Sequence, residues 1–193
     1  MITNAQKGEE NERENDEQCV YQPVGRITPL SARTLVLKAL NTFDSFSHAL
    51  IVLSPFDASE PPHEVPSASI EENIDTQLKG CLYIVKEVLV YFMRQGRGSL
   101  SFVSLTDPGL ENNVIDSMIH GGFISLADSI FSFYRNESVD MFGFESDSTK
   151  YEEFSEYIWK ILENPGKQNF RRWNRFADRS GLFQSISLSN IKR

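Results

Sequence analysis

Two cysteines and three histidines are the only thiolate and imidazole ligands that 193 residues offer toward a metal site. Cys19 and Cys81 stand far apart, and His48, His63 and His120 make no ligand spacing. So few cysteines fit a reducing compartment better than a disulfide framework. Glycine is scarce where it would matter most, since Gly8 and Gly25 are alone before residue 80. The first third of the chain therefore carries no glycine-rich turn to bring backbone amides against a phosphate. No apolar run approaches 18 residues, and the amino end is hydrophilic from its third residue. Those features predict neither a membrane span nor a signal peptide, and the cytoplasm as the location. Positive charge is also short: 19 Lys and Arg against 27 Asp and Glu leave a net charge of -8, which argues against general nucleic-acid affinity.

What is present suits one soluble domain, with 40% apolar and 11% aromatic residues. Residues 1–17 are the exception. They hold six acidic and two basic residues and almost nothing to bury, so a disordered acidic tail is expected there, with a single domain over 18–193. Cys19 to Val24 reads as a short strand, and Pro23 argues for an edge or an end. Thr28 is placed to cap a helix that has Pro29 in its first turn and continues through Leu30, Val36, Leu37, Leu40 and Phe43. His48 to Leu53 is a nearly continuous apolar strand of the kind buried on both faces of a parallel sheet. The loop from Ser54 to Ala68 reads as a surface connection, with His63 exposed on it.

Ile70, Ile74, Leu78, Cys81, Val85, Val88 and Phe92 keep an apolar stripe along a long helix. Leu82, Tyr83, Leu89, Val90 and Met93 widen it, which predicts two packing partners. Gln95-Gly96-Arg97-Gly98 stops the helix, and Ser99 to Leu105 follows as a buried strand. A second helix, from about Asn112 to Tyr134, has Ile115, Ile119, Leu126, Ile130 and Phe133 on one stripe. Gly121, Gly122, Ser125, Ser129 and Ser132 supply it with a small-residue surface. Val139 to Phe144 is the next strand, and Tyr151 to Leu162 is an amphipathic helix stopped by Asn164-Pro165-Gly166. Gly181 to Leu188 is a last strand candidate.

Three stretches carry a resemblance. Asp75-Thr76-Gln77-Leu78-Lys79-Gly80 looks like the D-x-N-x-x-G at the start of the long interface helix of the short-chain dehydrogenase/reductase family. Gly98 to Leu105 is similar to the family's G-S-I-V-x-x-S-S strand, and Val139 to Glu145 sits where its V-N-x-I-x-P-G belongs. Over roughly Val24 to Leu188 the chain resembles a degenerate member of that family, truncated at its amino end. The resemblance implies an α/β fold: a Rossmann-like three-layer sandwich with a mainly parallel sheet, lacking the first strand and its glycine-rich turn. Parallel strands are expected near residues 49, 100, 140 and 184.

The catalytic positions depart from the family one by one. Setting Asp116 to Phe123 on Y-x-x-x-K-A-A-x puts Asp116 at the proton-donating tyrosine and His120 at the lysine. In the family the ammonium lowers a phenol from its ordinary pKa of about 10, which a carboxylate ordinarily near 3.9 cannot imitate. Leu105 takes the place of the serine, with Ser104 one residue away, and Gln77 that of the asparagine. Val52-Leu53-Ser54-Pro55 stands at N-N-A-G. The catalytic tetrad is thus lost, no residue is assigned to a cofactor, and NAD(P) has no familiar seat. Asp116 and His120, one helical turn apart, remain as an acid–base couple or as a merely structural pair.

Phe170 to Arg179 reads as a helix in which Arg171, Arg175 and Arg179 repeat every four residues beside Arg172, with Phe170, Trp173 and Ala177 as a seam. Those arginines could hold an anion, and the bland alternative is a solvated face. Three functions follow: a non-catalytic interaction or regulatory subunit, an oxidoreductase-like protein with altered NAD(P) binding, or an anion or nucleic-acid binder. The family also implies a two-fold interface through the two long helices, here at Leu82, Tyr83, Val90, Gly121, Gly122 and Ser125. The partner would be a second copy or an intact paralogue.

Overall fold

The computed structural model describes residues 26–53, 61–106 and 114–177. The chain begins there with Thr28 capping α1 (Pro29–Phe43): its hydroxyl accepts from the Ser31 amide while the Ser31 hydroxyl accepts from the Thr28 amide. After α1 come β1 (His48–Leu53), α2 (Ser67–Asn73), a π-helical stretch (Ile74–Lys79) and α3 (Gly80–Gln95). Then follow β2 (Ser99–Leu105), α4 (Val114–Phe133), β3 (Asp140–Ser146), α5 (Tyr151–Glu163) and β4 (Trp173–Phe176).

The four strands are parallel and lie in sequence order, β1-β2-β3-β4. Strand alternation sends Leu100, Phe102 and Met141 to one face, where they pack with Val36 of α1, Val85 and Phe92 of α3, and Ile119, Phe123 and Ala127 of α4. Val103, Phe142 and Phe144 go to the other face, under Phe154, Ile158, Ile161 and Leu162 of α5. This is the three-layer α/β sandwich expected. Each fully buried phenylalanine in it, such as Phe102 or Phe144, contributes about 1.5–3 kcal/mol through burial.

The connections do not share one hand. β1 to β2 and β2 to β3 cross over with helices on the first face, whereas β3 to β4 steps in the same direction with α5 on the opposite face. The last crossover is therefore opposite in hand to the first two, against the strong right-handed preference of such units. Gly143 is what lets β4 come close. A Cβ there would lie 2.7 Å from the Trp173 ring and 3.1 Å from the Arg172 carbonyl.

Several expectations change. The segment from Phe170 to Ala177 is a turn and a strand, because paired ladder bonds to β3 outweigh a helix-like spacing of arginines. The strand beside β3 is thus Trp173–Phe176, while Gly181 to Leu188, Cys19 to Val24 and the tail 1–17 lie outside the described residues. β1 is not buried on both faces: it borders the sheet, and Val52 is 54% exposed on the face that α5 covers only in part. Phe133 is 82% exposed, since the buried stripe of α4 runs through Phe123, Ala127, Ile130 and Phe131 instead. α4 is also long and apolar enough to cross a bilayer by length and composition, but that stripe is committed to the sheet.

Candidate functional site

In an open parallel sheet, ligands bind in the crevice beyond the carboxyl ends of the strands. Among the described elements at that end are the π stretch, the last residues of β2 and the start of α4, which carry the positions singled out in the sequence. The π turn is closed by Gly80, whose N–H donates to the Asp75 carbonyl five residues back. Gly80 has room for no side chain, because a Cβ would stand 2.9 Å from the Ile27 Cβ. Asp75 is stapled on both sides, by the Lys79 ammonium and the Arg26 guanidinium. The hydrogen bond from Lys79 first, and the charges of Arg26 and Lys79 with it, hold its carboxyl below the ordinary carboxylate value against the opposing effect of burial.

Gln77 lies on this π turn, half-buried. Leu105 does not face it: the side chain packs with Val103 against the α5 side of the sheet. Strand alternation instead turns Ser104 toward α3 and α4, fully buried, with its hydroxyl lacking any hydrogen-bond partner. Ser104 and Leu105 thus face opposite sides of the sheet. Asp116 and His120 are half-buried on the first turns of α4. His120 Nε2 is buried and has no hydrogen-bond partner, so that nitrogen does not join the imidazole to Asp116. α4 and the π stretch touch where Leu78 lies 3.2 Å from a Cβ placed on Gly122. Gln77, Ser104, Asp116 and His120 are thus placed on the π stretch, the end of β2 and the first turns of α4.

Among the described residues, no glycine with positive φ lies at the carboxyl ends of the strands. Gly96 and Gly98 are the described glycines with positive φ, and both serve the turn between α3 and β2, at the amino end of the strand. Gly96 ends α3 in the left-handed conformation, and a Cβ on Gly98 would collide with the Phe92 ring at 2.3 Å. Neither points backbone amides into the crevice. The open groove on α4 lined by Ser125, Asp128, Ser129, Ser132 and Phe133 lies along the helix's carboxyl-terminal half, away from the crevice.

The proposed anion site is dispersed. Arg171 has positive φ and donates from Nη2 to the carbonyls of Glu137 and Val139 at 3.2 and 3.4 Å. Arg175 pairs with Asp147 at 2.9 Å, Arg172 is exposed, and Arg179 lies outside the described residues. Two of the arginines thus bind the chain's own backbone and carboxylate. The interface residues divide as well. Leu82, Val90, Gly121 and Ser125 are exposed, Tyr83 is half-buried, and Gly122 is turned inward onto Leu78. The staple on Asp75 escaped the sequence in part: the Lys79 half has a readable spacing of four, whereas Arg26 is 49 residues away and came close only through folding.

No family model matches this sequence, and no curated protein matches it. Solved structures do. A metagenomic short-chain oxidoreductase in complex with NADP superposes with a TM-score of 0.67 at 12% identity, over 83% of this chain and 75% of that one. A short-chain dehydrogenase from Bacillus anthracis gives 0.66 at 8% identity, over 81% and 73%. A short-chain dehydrogenase/reductase structure from Burkholderia xenovorans gives 0.57 at 14%, over 76% of this chain and 59% of that one. The parallel sheet, its helical layers and these superpositions agree: the fold of this chain is the short-chain dehydrogenase/reductase fold.

Proposed function

We propose that the chain is a non-catalytic protein of short-chain dehydrogenase fold, working as an interaction or regulatory subunit without NAD(P). The observation that carries this reading is the content of the crevice. Where the fold's chemistry needs a phenol tuned by a lysine, the start of α4 offers Asp116 and His120. Ser104 is sealed inside the protein with its hydroxyl unpaired, and His120 Nε2 is likewise buried without a partner. Among the described residues, neither the Ser104 hydroxyl nor His120 Nε2 meets a group that would move a proton. The exposed apolar residues of α3, Leu82, Val90 and Met93, support a partner in place of a substrate. That partner would be a second copy or an intact paralogue, seated on the two long helices.

Thermal shift with NAD, NADP and their reduced forms tests the reading, because a ligand that binds only the folded state stabilises it as the logarithm of concentration over Kd. At millimolar cofactor the melting temperature is expected to stay flat. A rise that saturates with any of the four would overturn it and favour an oxidoreductase-like protein with altered cofactor binding.

A further inference from the structure

The π stretch is not demanded by its own residues. Ile74 to Lys79 contains neither proline nor glycine, the usual local causes of a distorted helix. Nor does the apolar stripe need an extra residue in the turn. Ile70, Ile74, Leu78, Cys81 and Val85 follow one another at four, four, three and four, so an uninterrupted α-helix keeps them on one face. Wide turns of this kind are rare and are found mostly at functional sites. What holds this one open lies outside the helix.

Two residues ahead of α1 do the holding. Ile27 is buried on Gly80, in the room that a side chain at position 80 would take. Its neighbour Arg26 then reaches Asp75, whose carbonyl accepts the Gly80 N–H across the five-residue turn. In an α-helix that N–H bonds the carbonyl four residues back, which puts Thr76 where Asp75 stands. Ile27 keeps its seat in either case, but Arg26 meets a hydroxyl in place of a carboxylate. The Lys79–Asp75 pair, four residues apart, suits both registers, so the choice falls to Arg26.

We propose that the helix from Ser67 to Gln95 has two registers, one with the π stretch and one α throughout, and that Arg26 and Ile27 form a strap that selects the first. Val85, Val88, Leu89 and Phe92 anchor α3 in the core, so a change of register moves the part that precedes it. Taking one residue out of the turn rotates α2 by about 100° and shifts it by about 1.5 Å along the axis. The stretch that unwinds or tightens carries Gln77 at the carboxyl end of the sheet. The strap thereby ties the segment ahead of α1 to the crevice, whether or not the crevice takes a ligand.

Hydrogen-bond scalar couplings measured by NMR on the full chain test this, because they identify the carbonyl that accepts each N–H. In the unaltered chain Gly80 is expected to couple to the Asp75 carbonyl carbon. In an R26Q/I27A variant that coupling should be lost and one to Thr76 should appear, while Val85 keeps its coupling to Cys81 as a report on α3. G80A is the second variant: its methyl displaces Ile27 without removing a charge, and it should give the same exchange of Asp75 for Thr76. An Asp75 coupling retained in either variant would overturn the proposal, as would a Thr76 coupling in the unaltered chain. Loss of the Val85–Cys81 coupling in both variants would overturn it too, because the second register has to be a folded state.

Discussion

Cys81 shows how completely a side chain can be changed by where it is put. On α3 the thiol is buried in the core formed with Val85 and Phe92, and burial pushes its pKa from 9.0 up to about 12. The thiolate is the form that attacks a disulfide reagent, so Cys81 in the native protein is expected to stay unmodified by an aromatic disulfide at pH 8 and to react once guanidinium unfolds the chain. Peptide mass spectrometry reads the difference at that one position. A raised pKa also sets the sign of the pH dependence. The contribution to stability is complete below pH 9.0 and is lost as the unfolded thiol ionises between there and about 12, so urea midpoints should fall over that interval. The cysteine's identity was plain in the sequence, and its spacing put it on the apolar stripe. Its inertness belongs to the packed core.

The long helix that ends in α3 is three pieces: α2, the π stretch and α3 itself. Its apolar stripe reads straight through, because side chains at spacings of three and four share a face whether or not one turn is widened. The widening depends on a packing contact, Ile27 over Gly80, and on Asp75 held between Arg26 and Lys79. Since those partners depress the Asp75 pKa, its contribution is present above the ordinary value of 3.8 and disappears as pH falls through the lower folded value. Asp75→Asn is therefore expected to lower the melting temperature at pH 7 and to have progressively less effect as the pH is taken below 3.8. A deficit of the same size at both pH values would mean that the staple does not act through charge. The stretch from Phe170 to Ala177 teaches the opposite lesson. Four-residue spacing of Arg171 and Arg175 matched a helix, yet β3 offered a ladder and Gly143 offered the room, so the segment extended.

For the whole molecule the open question of assembly has a direct test. Leu82, Val90 and Met93 lie exposed on α3, while Val114 and Met118 lie exposed on α4. A two-fold pairing of these helices would cover both sets at once and close the assembly. Light scattering of the purified chain at micromolar concentration is expected to give twice the 22.0 kDa of one copy, and Val90→Glu to return it to one. A monomer before any substitution rules out the homodimer, and a dimer that tolerates Val90→Glu puts the interface elsewhere. Gly122, beside these residues on α4, faces Leu78 of its own chain.

The sequence by itself determined the class of the fold and the order of its strands and main helices from α1 to α5. Those are local: periodicity, caps, breakers and residue identity are carried within a few positions. Thr28 with Pro29, and the stop at Asn164-Pro165-Gly166, are read and found in place. Only the tertiary structure decided that Ser104 rather than Leu105 turns toward α3 and α4, that Arg171 and Arg175 are engaged within the chain, and that Trp173 to Phe176 joins the sheet. It also decided that α5 crosses to the other face. Each of these depends on which surface a residue meets across tens of positions, and spacing along the chain carries no record of that meeting.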